Sequence, residues 1–326
     1  MSNRWSRRSA LRAGGAALLS TNLGLGASAA LAKAEMRKSQ APGFYRFMLG
    51  AFEVTVLSDG AYPLPTDLLA INQPKEEVLK YLQSNFLDVD QRLSHVNIPL
   101  INTGEELILV DVGGGTGWLD GAGRLIENLQ ASGYAPEDVD KVIVTHGHPD
   151  HIWGLIDDFD EPAFPNASYI FSEKEWEFWA TKKAVETLPE AFQSFAAGAS
   201  RRLPMIEDQT TQVKPEKEIA SGVFALDTPG HTPGHMSLQV KSGSESLIVT
   251  ADAITHPYVS FEHPDWWPGT DTDPAMGEKS RRKVLELAAT DQSLVLSYHI
   301  SFPGLGRVAR AGNAYRWVPE LWRWKV

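Results

Sequence analysis

Six consecutive residues, His146-Gly-His148-Pro-Asp150-His151, carry four side chains able to ligate a metal, and they follow directly on the apolar run Lys141-Val-Ile-Val-Thr145. This most constrains the fold, because a strand has to end where two ions are to be held. In an extended segment residues i and i+2 face the same way, so His146 and His148 can grip one metal. Pro149 then redirects the chain, and Asp150 with His151 can face a second one. Imidazole and carboxylate suit zinc, and equally iron, manganese or cobalt. The chain has no cysteine, so thiolate ligands and disulfides are excluded. Three distant pieces complete a possible donor set: His231 and His235 in Gly230-His-Thr-Pro-Gly-His235, Asp252 in Ile248-Val-Thr-Ala-Asp252, and His299 in Leu296-Ser-Tyr-His299.

The surroundings read as strands alternating with helices. Phe44–Gly50 and Phe52–Leu57 are expected as strands, with Ser58-Asp-Gly60 turning the chain, and Pro74 opens a short helix. Ile98–Asn102 and Leu107–Val110 pair around Thr103-Gly104. Asp111 ends the second of these, and a helix with Leu125, Ile126 and Leu129 on one face stops at Gly133. Ser172-Glu-Lys-Glu175 has capping-box spacing and opens a helix bearing Trp176 and Trp179; a further helical piece spans Ala191–Phe195. Strands at Val223–Leu226, Ser237–Val240 and Leu247–Val249 each lie near a candidate ligand. Asp273-Pro274 caps another helix, and strand Leu294–Leu296 leads to His299. Two comparable halves of this kind predict two sheets packed together and covered by helices.

Residues 1–32 are expected to be an export signal rather than fold. Arg4, Arg7, Arg8 and Arg12 precede a weakly apolar stretch ending Ala30-Leu-Ala32, a small-x-small cleavage pattern. The paired arginines of Ser6-Arg-Arg-Ser-Ala-Leu11 suggest the twin-arginine route, hence a periplasmic or secreted protein. Residues 33–326 are expected as one domain with no membrane attachment after cleavage. Losing the signal removes four arginines and no acid, moving the formal charge from −11 to −15. Such an acidic chain argues against nucleic acid as a partner, which needs clustered Lys and Arg.

The order His146-x-His148-x-Asp150-His151, Thr228-Pro-Gly-His231, Thr250-Ala-Asp252 and a late His299 resembles the ligand series of the metallo-β-lactamase superfamily. The stretches Pro42–Gly50, Leu57–Gly60, Phe164–Ala167 and His299–Gly306 are similar to its methyl parathion hydrolase group and lactonase relatives. The resemblance implies a four-layer αββα sandwich and two Zn2+ per chain. It assigns His146, His148 and His231 to the first ion and Asp150, His151 and His299 to the second. Asp252 would bridge both, and a hydroxide held between the ions would be the nucleophile. Asp150 and Asp252 are thereby the expected catalytic carboxylates.

Metal-assisted hydrolysis follows more firmly than the bond cleaved. The expected substrate is a small hydrophobic aryl ester, lactone or organophosphate triester, with acyl homoserine lactone cleavage as the alternative and a metal-bound, non-catalytic binding protein as the reading from another class. Zinc β-lactamases differ from the pattern at Asp252. Many acyl homoserine lactonases have a Tyr where this chain has Thr255, which leaves Thr255 or His256 as a donor to the substrate. Trp118, Trp179 and Phe195 match places where aromatics line the pocket in the methyl parathion hydrolase group. A homodimer is also expected. Asp111 is an even choice between a hydrogen-bond acceptor for a ligand imidazole and a turn residue; His235 is read as a loop residue in preference to such a supporting role. His95, His256 and His263 are read as surface or loop histidines, and Trp266-Trp267 as closing a loop or interface.

Overall fold

The computed structural model describes residues 43–326; the expected export signal lies outside them. Seven strands form a first sheet in chain order: β1 (Phe44–Leu49), β2 (Phe52–Pro65), β3 (Gln91–Asn102), β4 (Leu107–Val110), β5 (Lys141–Ile143), β6 (Ser168–Ser172) and β7 (Thr210–Val213). A second sheet takes β8 (Lys217–Ala220), β9 (Val223–Asp227), β10 (Met236–Ser242), β11 (Glu245–Val249), β12 (Leu294–Leu296), β13 (Leu305–Ala311) and β14 (Ala314–Pro319). The parallel pairs β4–β5, β5–β6 and β11–β12 each span a crossover containing a helix. The helices are α1 (Lys75–Ser84), α2 (Leu125–Ala131), α3 (Pro149–Ile152), α4 (Glu173–Trp179), α5 (Lys183–Thr187), α6 (Gln193–Ile206), α7 (Val259–Glu262) and α8 (Pro274–Asp291).

Strand periodicity builds the layers. In β4, Ile108 and Val110 point between the sheets, where they meet Val54, Val56 and Ile143 of the first sheet and Leu238, Val240 and Val249 of the second. Their neighbours Leu107 and Leu109 point the other way, onto a core shared with Leu125 and Leu129 of α2, Trp176 of α4 and Leu203 of α6. On the far side, Ile248 and Val295 pack against Val284, Leu285 and Ala288 of α8. Both faces of each sheet are therefore covered, giving the four-layer αββα sandwich; each fully buried aliphatic side chain contributes roughly 1.5–3 kcal/mol. Among the described residues no helix is long and apolar enough to cross a membrane.

Two local expectations are corrected. Ser58-Asp-Gly60 does not turn the chain: β2 continues through it with a bulge against β3, because the buried Asp59 carboxylate accepts from the backbone N–H of Gly114, Gly123 and Leu125 and so belongs to the interior. Ile126 is 37% exposed, so the apolar face of α2 is Leu125 and Leu129.

Candidate metal centre

Strand β5 ends three residues before His146, and α3 begins at Pro149. Proline suits the first turn of a helix, where its missing N–H costs nothing. The one-turn helix puts Asp150 and His151 on the opposite side of the centre from His148. His231 comes from the loop between β9 and β10, Asp252 from the turn after β11, and His299 from the loop after β12. All seven side chains are buried.

They converge as two groups: His146, His148, His231 and Asp252 in one, and Asp150, His151 and His299 in the other, with donor atoms in each group within 4.8 Å of one another. Asp252 lies between them. Its Oδ2 is 3.2 Å from His231 Nε2 and 3.1 Å from His299 Nε2, while its Oδ1 is 3.2 Å from His151 Nε2. Asp150 Oδ2 is 3.5 Å from both His151 Nε2 and His299 Nε2. Donors about 2 Å from a tetrahedral ion stand about 3.3 Å from each other, so this spacing fits a cation at each group. The buried His146 Nε2, His151 Nε2 and Asp252 Oδ1 have no hydrogen-bond partner. Leaving such atoms orphaned costs free energy, and a divalent ion at each group would resolve all three.

The surrounding hydrogen bonds select the ligating nitrogen. His151 Nδ1 donates to Asp111 Oδ2 at 2.8 Å, His231 Nδ1 to Asp271 Oδ1 at 2.8 Å, and His299 Nδ1 to the His95 carbonyl at 2.7 Å. Each ring thereby commits Nδ1 outward and leaves Nε2 facing the centre as the atom that would ligate. Asp111 thus holds a ligand; it sits at φ +64° and also accepts from the Thr145 N–H and hydroxyl. Asp271, fixed in turn by Arg281 at 3.3 Å, was not anticipated, since nothing in its sequence surroundings marks it.

His235 is not a simple loop residue: buried, it accepts the Asp252 N–H on Nε2 at 3.1 Å and donates from Nδ1 to the Thr228 carbonyl. That bond orients Asp252. Burial and the neighbouring His231 hold His235 down at about 3, so it stays neutral and able to accept. Burial also pushes His146 and His148 well below the usual histidine range, leaving them unprotonated as ligation requires. For His231 burial works in the same direction, but Asp252 and Asp271 outweigh it and raise the ring to about 9.

Glu175 ties the two ligand loops together. The Ser172 hydroxyl caps α4 by accepting the Glu175 N–H, but the Glu175 carboxylate does not turn back to complete a capping box. It is buried, accepting from Gly147 N–H and Trp179 Nε1 on one oxygen and from the Thr232 hydroxyl and Gly234 N–H on the other. Gly147 and Gly234 allow this approach, for a Cβ would collide with the Trp179 ring at one and the α4 backbone at the other.

Of the residues expected to contact substrate, Phe195 and Trp118 stand beside the centre: the Phe195 ring is 5.4 Å from that of His148 and 5.6 Å from that of Trp118. Trp153 and Tyr62, not foreseen, extend this wall at 5.0 and 6.2 Å from Trp118. Trp179 offers no open face at 1% exposure; it backs the His148 ring and is tied to Glu175. Thr255 is buried too, its N–H on the Ser260 hydroxyl and its carbonyl accepting from Arg92. His256 is likewise interior, where its Nδ1 accepts the N–H groups of Tyr258 and Val259 and caps α7. Trp266 packs on His263 and Tyr81 within a buried cluster. The Tyr62 hydroxyl donates to Asp150 Oδ2 at 2.7 Å.

A model of the metallo-beta-lactamase superfamily matches residues 92–299, more than half of the chain, which therefore belongs to that superfamily. Among curated relatives, an N-acyl homoserine lactonase of a Bacillus species is 30% identical over 177 residues, covering 54% of this chain and 62% of the relative. Metallo-beta-lactamase domain-containing protein 1 of Mus musculus is 31% identical over 56% of each chain. The chain thus spans about three fifths of the length of these relatives. Among solved structures, AidC, a dizinc quorum-quenching lactonase, superposes with a TM-score of 0.80 at 31% identity, covering 86% of this chain and 98% of its own. AbOPH, a hydrolase of the beta-lactamase superfamily, gives 0.81 at 29%, covering 87% and 100%.

Proposed function

We propose that this chain is a dinuclear zinc hydrolase that opens lactone rings, acyl homoserine lactones among them. The observation that carries the reading is the convergence of seven buried donors, three with orphaned atoms, on two adjacent points. The likeness to lactonases in sequence and in structure supports the choice of bond. When bound, the metal pair supplies the Lewis acidity that makes water nucleophilic near neutral pH and polarises the carbonyl under attack. The chain's own residues do the rest. Trp118, Trp153 and Phe195 hold the apolar part of the substrate beside His148 and keep bulk water away. Asp150, held by the Tyr62 hydroxyl, is the carboxylate placed to carry a proton to the departing alkoxide, and His235 keeps Asp252 in position.

A second reading, hydrolysis of aryl esters and organophosphate triesters by the same site, is favoured by that aromatic wall, which suits an uncharged aromatic group. We further propose that the protein is exported by the twin-arginine route to the periplasm and works there as a homodimer.

The test is turnover of N-acyl homoserine lactones, dihydrocoumarin, methyl parathion and nitrocefin by zinc-loaded protein, with elemental analysis of the same sample. Lactone turnover with close to two zinc equivalents is expected. Methyl parathion hydrolysis without lactone opening would move the assignment to the second reading, nitrocefin alone would overturn both, and no turnover would favour a binding protein.

A further inference from the structure

Beside the metal centre lies a cation that the chain leaves without a counter-charge. Arg92 pairs with Leu64 across β2 and β3, two pairs beyond Tyr62–Ser94. Residues alternate across a strand, so Arg92 shares the inward face with Ser94, whose hydroxyl is 2.9 Å from His299 Nδ1. The guanidinium makes one hydrogen bond among the described residues, from Nη1 to the Thr255 carbonyl at 2.6 Å. Its Nε is shielded from solvent and has no acceptor. The Nε–Nη2 edge, the side-on fork that grips both oxygens of a carboxylate, is therefore unused.

Arg92 and His299 line one cavity of about 820 Å³, with Leu87, Tyr258 and Trp317 among its apolar walls. Asp88, Glu262 and Glu320 also border it, yet among the described residues none forms an ion pair with Arg92. The carboxylates whose charge Arg92 feels most are Asp252 and Asp150, and both belong to the donor set. Once cations occupy that set, the two carboxylates no longer compensate the guanidinium. A half-buried guanidinium with a shielded, unpartnered Nε is costly unless an anion completes it.

We propose that Arg92 forms a carboxylate-binding subsite next to the metal centre, and that the preferred substrates are lactones bearing a second, carboxylate-terminated arm that reaches into this cavity. The inference deepens the lactonase reading and rests on it for the word substrate. A neutral triester would leave the fork unfilled; an acidic arm fills it while the scissile carbonyl stays beside the donor cluster.

The experiment compares 5-oxotetrahydrofuran-2-carboxylate with its methyl ester as substrates of the zinc-loaded wild type, R92M and R92K, and measures by calorimetry the binding of the ring-opened diacid to each. The wild type is expected to favour the acid over the ester in kcat/KM by about 30-fold, an order-of-magnitude expectation for a charged, bidentate contact. R92M should erase that ratio and weaken diacid binding by a similar factor. R92K should recover part of both, since a lysine keeps the charge without the fork; it also carries the comparison should R92M fail to fold. Ester hydrolysis with no preference for the acid, or equal diacid binding by wild type and R92M, overturns the subsite and leaves the lactonase reading intact. Arg92-dependent binding of the diacid without turnover of either lactone keeps the subsite and overturns the lactonase reading instead.

Discussion

The two halves of the molecule contribute to one centre in opposite ways. The first half supplies four donors within six residues at the end of β5, and their separation is set by local geometry: an extended step, a proline, one helical turn. The second half supplies His231, Asp252 and His299, one at a time, from three loops of the other sheet. The first four donors are held close by the local course of the chain; the other three reach them only when the sheets are stacked, and each donor group draws on both halves. The stabilising partners follow the same division. His151 leans on Asp111 of the first half and His231 on Asp271 of the second, each partner lying forty residues away in sequence and brought up by the fold. A dinuclear site can therefore be recognised from one half while its closure depends on the other.

The sharpest break of that comparison is Asp252→Ala, which removes the carboxylate lying between the two groups of donors. Activity is expected to vanish, with metal content falling below two equivalents by elemental analysis; unchanged rates with both metals retained would refute the assignment. Next comes Glu175→Gln, which replaces one acceptor oxygen by an amide NH2 among the four donors that the carboxylate gathers from the two ligand loops and Trp179. We expect a loss of about 2–4 kcal/mol in denaturant unfolding, from buried donors left unsatisfied. An unchanged midpoint would show that the loops hold their places without this carboxylate.

Asp271→Asn and Asp111→Asn test whether the partner in the second half counts as much as the one in the first. Each should cost about 10–100-fold in zinc affinity by competition with a chelator, and a neutral Asp271→Asn would confine the effect to the first half. The gentlest test is pH. Without metal, the His231 ring titrates at about 9, above its unfolded value, so its contribution to stability is complete below the unfolded pKa and fades as pH rises through 9. Metal binding must displace that proton at neutral pH. Zinc affinity should accordingly climb with pH up to about 9, by up to about tenfold per unit for this one proton. A flat profile between pH 7 and 9 would contradict it.

The legibility of each part follows from how local its cause is. The layers were readable because Leu107–Val110 and Leu247–Val249 are apolar throughout, as strands covered on both faces must be. The β2 bulge was not, because Ser58-Asp-Gly60 has the composition of a turn and only the loop around Gly114 and Gly123 reveals why Asp59 is interior. Trp179 and Phe195 were placed together as pocket wall, yet one is sealed behind His148 and the other faces it; a helix position does not disclose which neighbour covers it. Glu175 reads as a capping residue until Gly147 and Gly234 are seen beside it. Asp271 and Arg92 carry no local signature at all, since each matters only through a group brought to it by the fold.

The amino-acid order alone singled out the candidate donors His146, His148, Asp150 and His151 and the alternation of strands and helices, because ligand spacing and side-chain periodicity act over a few residues; His231, Asp252 and His299 joined them through the family resemblance. The fold decided which nitrogen each ring turns inward, where Asp252 lies between the two groups, and which cation remains unmatched beside them. Those depend on hydrogen bonds and charges between segments far apart in the chain, whose energies exist only once the two sheets have packed.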